Sequence, residues 1–290
     1  MKKRGLLYII LASIMWGTSG IFVHYIAPSG ITSSQMTFIR SIVPLLFIGI
    51  YMLLKDKKMF KTNLKELIFF FISGASFFGT ATFYFYSMLL TSISTAVVLM
   101  YTAPIFVMIF SVLFLGEKIN KQKLISVAGM IIGCCFVSGI IGGMKFNILG
   151  IFVGFMSGIS YAAYNIMTKI EMEKGINPVK TNFYVFAFAS LICLLVANPA
   201  KILQCMEVNP CFIISLLIGM GIVTSILPYF IYTLALREVP AGTASSLGIL
   251  EPMAATIFSV IIFGEKLSLT ALLGIVLILG SAFLISRQSE

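Results

Sequence analysis

The sequence predicts an all-α membrane protein of ten transmembrane helices, arranged as a 5+5 inverted-topology repeat. Three observations predict it. First, 59% of the 290 residues are hydrophobic and 10% are charged, with a mean hydropathy of +1.07; composition of this kind belongs to a bilayer, not to a soluble domain. Second, one stretch occurs twice: APIFVMIFSVLFLGEK from Ala103 and EPMAATIFSVIIFGEK from Glu251. Third, Lys and Arg concentrate in alternate loops.

A bilayer core of about 30 Å takes roughly 20 helical residues per crossing. Apolar segments of that length run over 5–26, 33–54, 64–89, 92–115, 121–141, 147–169, 178–198, 209–236, 240–263 and 267–286. Backbone in lipid must satisfy its own hydrogen bonds, and these segments are too long and too uniformly apolar for barrel strands, so all are expected to be helices. The first begins Lys2-Lys3-Arg4 like a secretory leader but continues without a small-x-small cleavage site, which reads as a retained helix. Pro44, Pro104, Pro228 and Pro252 lie inside spans, where a missing N–H frees a carbonyl that can line a cavity. Gly150, Gly154, Gly158 and Ala162 recur every four residues, as do Gly129 and Gly133, and small faces of this kind let helices approach closely. The stretches Thr91–Thr95 and Gly242–Ser246 open the fourth and ninth spans with small polar residues, as gates or as helix caps.

The repeats align in one register: Tyr84 with Tyr232, Thr95 with Thr243, Pro104 with Pro252, Gly116 with Gly264, Glu117 with Glu265 and Lys118 with Lys266. A weaker register sets Trp16 opposite Tyr161, Gly30-Ile31 opposite Gly175-Ile176 and Phe38 opposite Phe183. The two repeats are expected over 1–145 and 146–290. With the N-terminus inside, sixteen cationic residues lie at inner loops and span ends and three, Lys145, Lys201 and Lys266, at outer ones. The excess of inner Lys and Arg places both termini in the cytoplasm of a cell-membrane protein. Five spans per repeat then turn the second repeat upside down. Inverted repeats typify secondary transporters, whose substrate binds near mid-membrane between the repeats.

Glu251 and Arg40 are the charged residues deep in spans. An intramembrane ionisable group is costly and is a functional candidate by default. Glu251 is read as a proton carrier, as an anchor for a substrate amine, or as a neutral or Arg-paired structural group. Arg40 is read as snorkelling to the headgroups, as holding a carboxylate in a cavity, or as pairing with Glu251. Trp16, Tyr84, Tyr86, Tyr101, Tyr161, Tyr164, Tyr229 and Tyr232 sit within spans, and a buried Tyr needs a hydroxyl partner. Asn165 adds a polar group to the sixth span. The expected substrate-binding set is Trp16, Arg40, Tyr84, Tyr101, Tyr161, Asn165, Tyr232 and Glu251, with Glu251 also the proton-coupling group.

Other chemistry finds little support. One histidine, His24, leaves scant scope for a metal site, and no cofactor is expected. Gly17-Thr18-Ser19-Gly20 has the look of an intramembrane protease motif but lacks a base on another helix. The chain has no Walker A motor and no Asp-rich prenyl-diphosphate motif. The net charge of +10 follows the loops and so implies topology, not nucleic acid. Cys134, Cys135 and Cys193 read as packing residues; Cys205 and Cys211 flank a short loop where a bond could form.

With ten spans, two halves and the Pro-to-Gly-Glu-Lys stretch closing the fourth and ninth spans, the chain resembles the EamA family of the drug/metabolite transporter superfamily. Leu250-Glu251-Pro252 leading to Gly264-Glu265-Lys266 carries most of the resemblance, with Phe38-Ile39-Arg40 and Met15-Trp16-Gly17. The resemblance implies a central cavity lined by the first, third, fourth, sixth, eighth and ninth spans, and export or uptake of small organic solutes. Amino acids or related amphipathic compounds are the expected substrates, moved by alternating access, with proton antiport the coupling Glu251 would support. A receptor or scaffold that transports nothing is the alternative. Glu117 and Glu265 are read as structural caps at span ends.

Overall fold

A computed structural model describes residues 2–140, 147–205, 209–264 and 266–287. Lys145, Glu265 and the expected boundary between the repeats lie outside the described residues. The described chain is helical, without a strand. The first span is α1 (Lys2–Gly17) and α2 (Ser19–Ile26), meeting at Thr18. Then follow α3 (Ser33–Lys55), α4 (Leu64–Leu90), the fourth span as α5 (Ile93–Met100) and α6 (Ala103–Leu115), and α7 (Lys121–Val137). The second half has α8 (Ile148–Glu173), α9 (Pro178–Ala197) and the short α10 (Pro199–Cys205). Its eighth span is α11 (Pro210–Gly221), a π-helical turn (Ile222–Ile226) and α12 (Leu227–Ala235). The ninth is α13 (Ala241–Leu247) and α14 (Leu250–Phe263), and the tenth is α15 (Leu269–Arg287). Nine of these spans are long and apolar enough to cross a bilayer; α7, with 17 residues, completes the ten. Large apolar side chains such as Leu54, Leu195 and Leu269 are exposed around the bundle, the surface that lipid covers.

Proline sets where spans break. Pro104 has no N–H for the carbonyl of Met100 four residues back, and Pro252 none for that of Gly248. The fourth span breaks at Tyr101–Thr102 and the ninth at Gly248–Ile249, within one residue of each other in the repeat register. Pro228 likewise cannot bond the Thr224 carbonyl, and there the eighth span widens into its π turn. Pro44 stays within a continuous α3. Both α6 and α14 stop at a left-handed glycine, Gly116 at φ 65° and Gly264 at φ 68°, where a side chain would be strained.

Packing repeats the pattern of the sequence. α4 lies along α8 as α12 lies along α1; α6 packs on α8 as α14 packs on α1; α3 pairs with α9, and α7 with α15. Exchange of the two halves carries each contact into its partner, as an inverted repeat requires. The small residues of α8 face the end of α4 and the fourth span within the same chain. A Cβ on Gly154 would meet Leu99 Cδ1 at 2.5 Å, and one on Gly150 would meet Thr91 Cγ2 at 2.6 Å.

The symmetry is broken most plainly around α13. α13 packs on α6 and α8 near the face that carries the chain termini. The corresponding pairs at the other face, α5 with α14 and α5 with α2, make no extended contact among the described residues. Every residue of α13 is buried, whereas Ile93 at the start of α5 is 65% exposed. The terminal face is closed and the opposite face open.

Candidate substrate site

The broken fourth and ninth spans meet the first, third, sixth and eighth spans in mid-bundle, and there the polar residues gather. Glu251 stands in the first turn of α14, just past the break. It is deep among side chains, within electrostatic reach of Tyr84, Tyr101, Tyr161, Tyr229 and Arg40, yet part of its surface stays open. The Tyr101 hydroxyl stands beside its carboxylate without completing a full hydrogen bond. The carboxylate is thus surrounded by side chains yet not wholly sealed from access.

Arg40, on α3, donates from Nη2 to the Thr224 carbonyl at 3.3 Å. That is the carbonyl Pro228 leaves free. The contact holds the guanidinium on the bundle side, near the Tyr229 ring, and not toward the headgroups. Arg40 and Glu251 form no ion pair among the described residues, but the guanidinium lies within electrostatic reach of the carboxylate. Arg40 Nε is buried and unpartnered.

Aromatic residues wall this space. Trp16 lies 5.0 Å from Tyr229 and 5.3 Å from Tyr232, ring centre to ring centre. Its Nε1 is buried without a partner. Tyr232 donates its hydroxyl to Asn165 Oδ1, and Asn165 Nδ2 donates to the Tyr161 carbonyl at 2.8 Å. All eight residues expected from the sequence therefore fall in one connected group. Of the wider aromatic set, Tyr164 packs on Tyr229, while Tyr86 is 56% exposed and lies outside the group.

Beside the group opens a crevice of about 510 Å³ at the unsealed face. Gly17, Gly20, Ile21 and His24 of the first span line it, with Thr256, Ser259 and Phe263 of α14 and Lys266 and Ser268 beyond. Its floor, Gly17 and Ala255, adjoins Trp16 and lies one turn past Glu251.

Three features correct or extend the sequence reading. Glu251 is not the only acidic residue buried in a span. α8 continues past Lys169 to Glu173, and Glu171 is fully buried, accepting from Ser73 Oγ at 2.8 Å. The apolar pattern stops short of Glu171 because charged residues resume at Lys169, although neighbouring helices cover them. Glu117 does more than close its own loop: its Oε1 accepts the Ala241 N–H at 2.9 Å, so it caps α13 of the other repeat. Finally, all five cysteines are free, Cys205 and Cys211 included. No cluster of His, Cys, Asp and Glu able to hold a metal occurs among the described residues.

Known proteins place this architecture. A solved crystal structure 16% identical in sequence superposes with a TM-score of 0.79 over 100% of both chains, which fixes the fold. An uncharacterized transporter of Archaeoglobus fulgidus is 27% identical over 97% of this chain and 95% of its own. The pseudopaline exporter CntI of Pseudomonas aeruginosa is 22% identical over 67% of this chain and 66% of its own. The sequence pattern of the EamA-like transporter family matches twice, at residues 3–139 and 148–287. The chain belongs to the EamA-like transporter family, in the drug/metabolite transporter superfamily.

Proposed function

We propose that the protein is a secondary transporter that exports small zwitterionic metabolites, amino acids or close relatives, across the cell membrane by alternating access, with its termini and closed face in the cytoplasm. The observation that carries this reading is the set of buried polar atoms without protein partners around Glu251. Trp16 Nε1, Arg40 Nε and the Tyr101 hydroxyl are buried without a hydrogen-bond partner on side chains grouped around Glu251. A buried donor without a partner costs about 1–3 kcal/mol, which a ligand can repay. Arg40 offers a fork for a carboxylate, Glu251 an acceptor for an ammonium, and the Trp16–Tyr229–Tyr232 wall a surface for an apolar side chain. Glu251 alternates between accepting substrate and carrying a proton, which couples export to proton entry. Export is supported by the activity named for the distant exporter relative, and the cytoplasmic face by the crowding of Lys and Arg there.

A thermal-shift screen of amino acids against the purified protein, followed by flux in proteoliposomes, tests the reading. A ligand of the folded state raises its melting temperature. The parent protein should move the ligand under an imposed proton gradient. Glu251→Gln should stay folded and lose gradient-driven flux; parent-like flux in that variant rejects the coupling role, and no binding by any zwitterion rejects the substrate class.

A further inference from the structure

A buried cation lies at the closed face. Lys169, near the end of α8, is 7% exposed, and its Nζ donates to the carbonyls of Leu236 at 2.8 Å and Val239 at 3.2 Å. The Leu236 carbonyl ends α12 and that of Val239 closes the turn into α13, so at Leu236 the positive charge meets the negative end of a helix. The turn is tied elsewhere by Arg237 Nη2 on the Ile176 carbonyl at 3.1 Å and by Glu117 on Ala241 N–H. Among the described residues, Lys169 alone joins α8 of one wall to both ends of the turn.

The repeat register gives Lys169 a counterpart. The alignment of Trp16 with Tyr161 and of Gly30 with Gly175 sets His24 opposite Lys169; the alignment of Tyr84 with Tyr232 sets Met88 and Thr91 opposite Leu236 and Val239. The backbone keeps the same register, since Gly30 and Gly175 share a left-handed φ of 85° and 73°. Yet His24 is exposed at the open crevice, its ring 4.3 Å from that of Phe263. We propose that Lys169 and His24 are the two ends of one alternating latch. Lys169 holds the terminal face shut through the Leu236 and Val239 carbonyls. When that face opens, the other closes, and His24 leaves Phe263 to donate a ring N–H to the Met88 or Thr91 carbonyl.

The latch rests on the alternating-access reading above, but its test needs no substrate. Single cysteines are placed at Ser246, buried in the closed gate, and at Thr256, in the open crevice. The full-length chain carries Cys135→Ala, Cys205→Ala and Cys211→Ala and sits in lipid nanodiscs, exposed to a hydrophilic maleimide. Lys169→Met should speed labelling of Ser246→Cys at least about tenfold, the effect of losing charge-assisted hydrogen bonds, and Lys169→Arg should restore protection. His24→Lys, at an exposed position that leaves the core intact, should slow labelling of Thr256→Cys. Unchanged labelling of Thr256→Cys in His24→Lys, or of Ser246→Cys in a folded Lys169→Met, overturns the latch. Shifted labelling without flux of any metabolite keeps the latch and sinks the transport reading; flux with unmoved labelling does the reverse.

Discussion

Arg40 shows how a side chain's role depends on backbone that its own sequence does not contain. Its guanidinium is steadied by the Thr224 carbonyl, which is free because Pro228 has no N–H to give it. A charge in a span, a proline in another and an aromatic wall were each legible, because each is costly in lipid and so stands out from Leu, Ile and Phe. The pairing of Arg40 with the π turn was not, since a one-residue widening of a helix leaves no periodic mark. Glu171 and Lys169 escaped for a different reason: polar residues at a span end read as solvated, and only the packing of neighbouring helices buries them. Arg40→Lys should therefore be a poor replacement, because an ammonium cannot hold both the Thr224 carbonyl and a carboxylate in a planar fork. Binding of a zwitterionic ligand should weaken roughly tenfold or more, as for a lost hydrogen bond to a charged group. Calorimetry on the Arg40→Lys protein checks this, and parent-like affinity would remove Arg40 from the ligand contacts.

Helices in lipid gain little from apolar burial, so close backbone approach decides which of them pair firmly. The α8 glycine row was readable as a packing face, and its partner proves to be the end of α4 together with the fourth span, with Gly158 close to the Leu99 and Met100 carbonyls. The span breaks were legible only in part: Pro104 and Pro252 marked the neighbourhood, while the division of each span into two helices depends on how the freed carbonyls are accommodated. Gly154→Leu should separate α5 from α8, because even its Cβ would sit 2.5 Å from Leu99 Cδ1. Overpacking of this kind costs about 1–3 kcal/mol, and the melting temperature should fall by several degrees. Gly20→Ala, where a Cβ would meet nothing within 4 Å, should leave it near that of the parent. Equal melting temperatures for Gly154→Leu and the parent would show that the contact carries no stability.

A chain made of two inverted copies has no intrinsic preference for either face, so its bias must come from the places where the copies differ. The repeat and its inversion were readable from residue register and loop charge. The choice of closed face was not, because two arrangements of one sequence differ by only a few kcal/mol. In the structure that difference is spread over the fully buried α13, the Glu117 cap on Ala241 and the tight α4–α8 wall, set against a first span interrupted at Thr18 and an eighth that bulges at Ile222–Ile226. Transport requires the closed contact to open once per cycle. Gly242 and Met108 meet across it: a Cβ on Gly242 would lie 3.3 Å from Met108 Cγ, the position close to which the sulfur of a Cys at 108 would stand. A Gly242→Cys, Met108→Cys pair should cross-link under mild oxidation, halt flux, and recover on reduction. Ligand entering from the open face should still bind the cross-linked protein, since the crevice and Glu251 lie on the far side of the bond. Undiminished flux through the oxidised protein would mean that the α13–α6 contact is not a gate, and that substrate crosses by a path that leaves it closed.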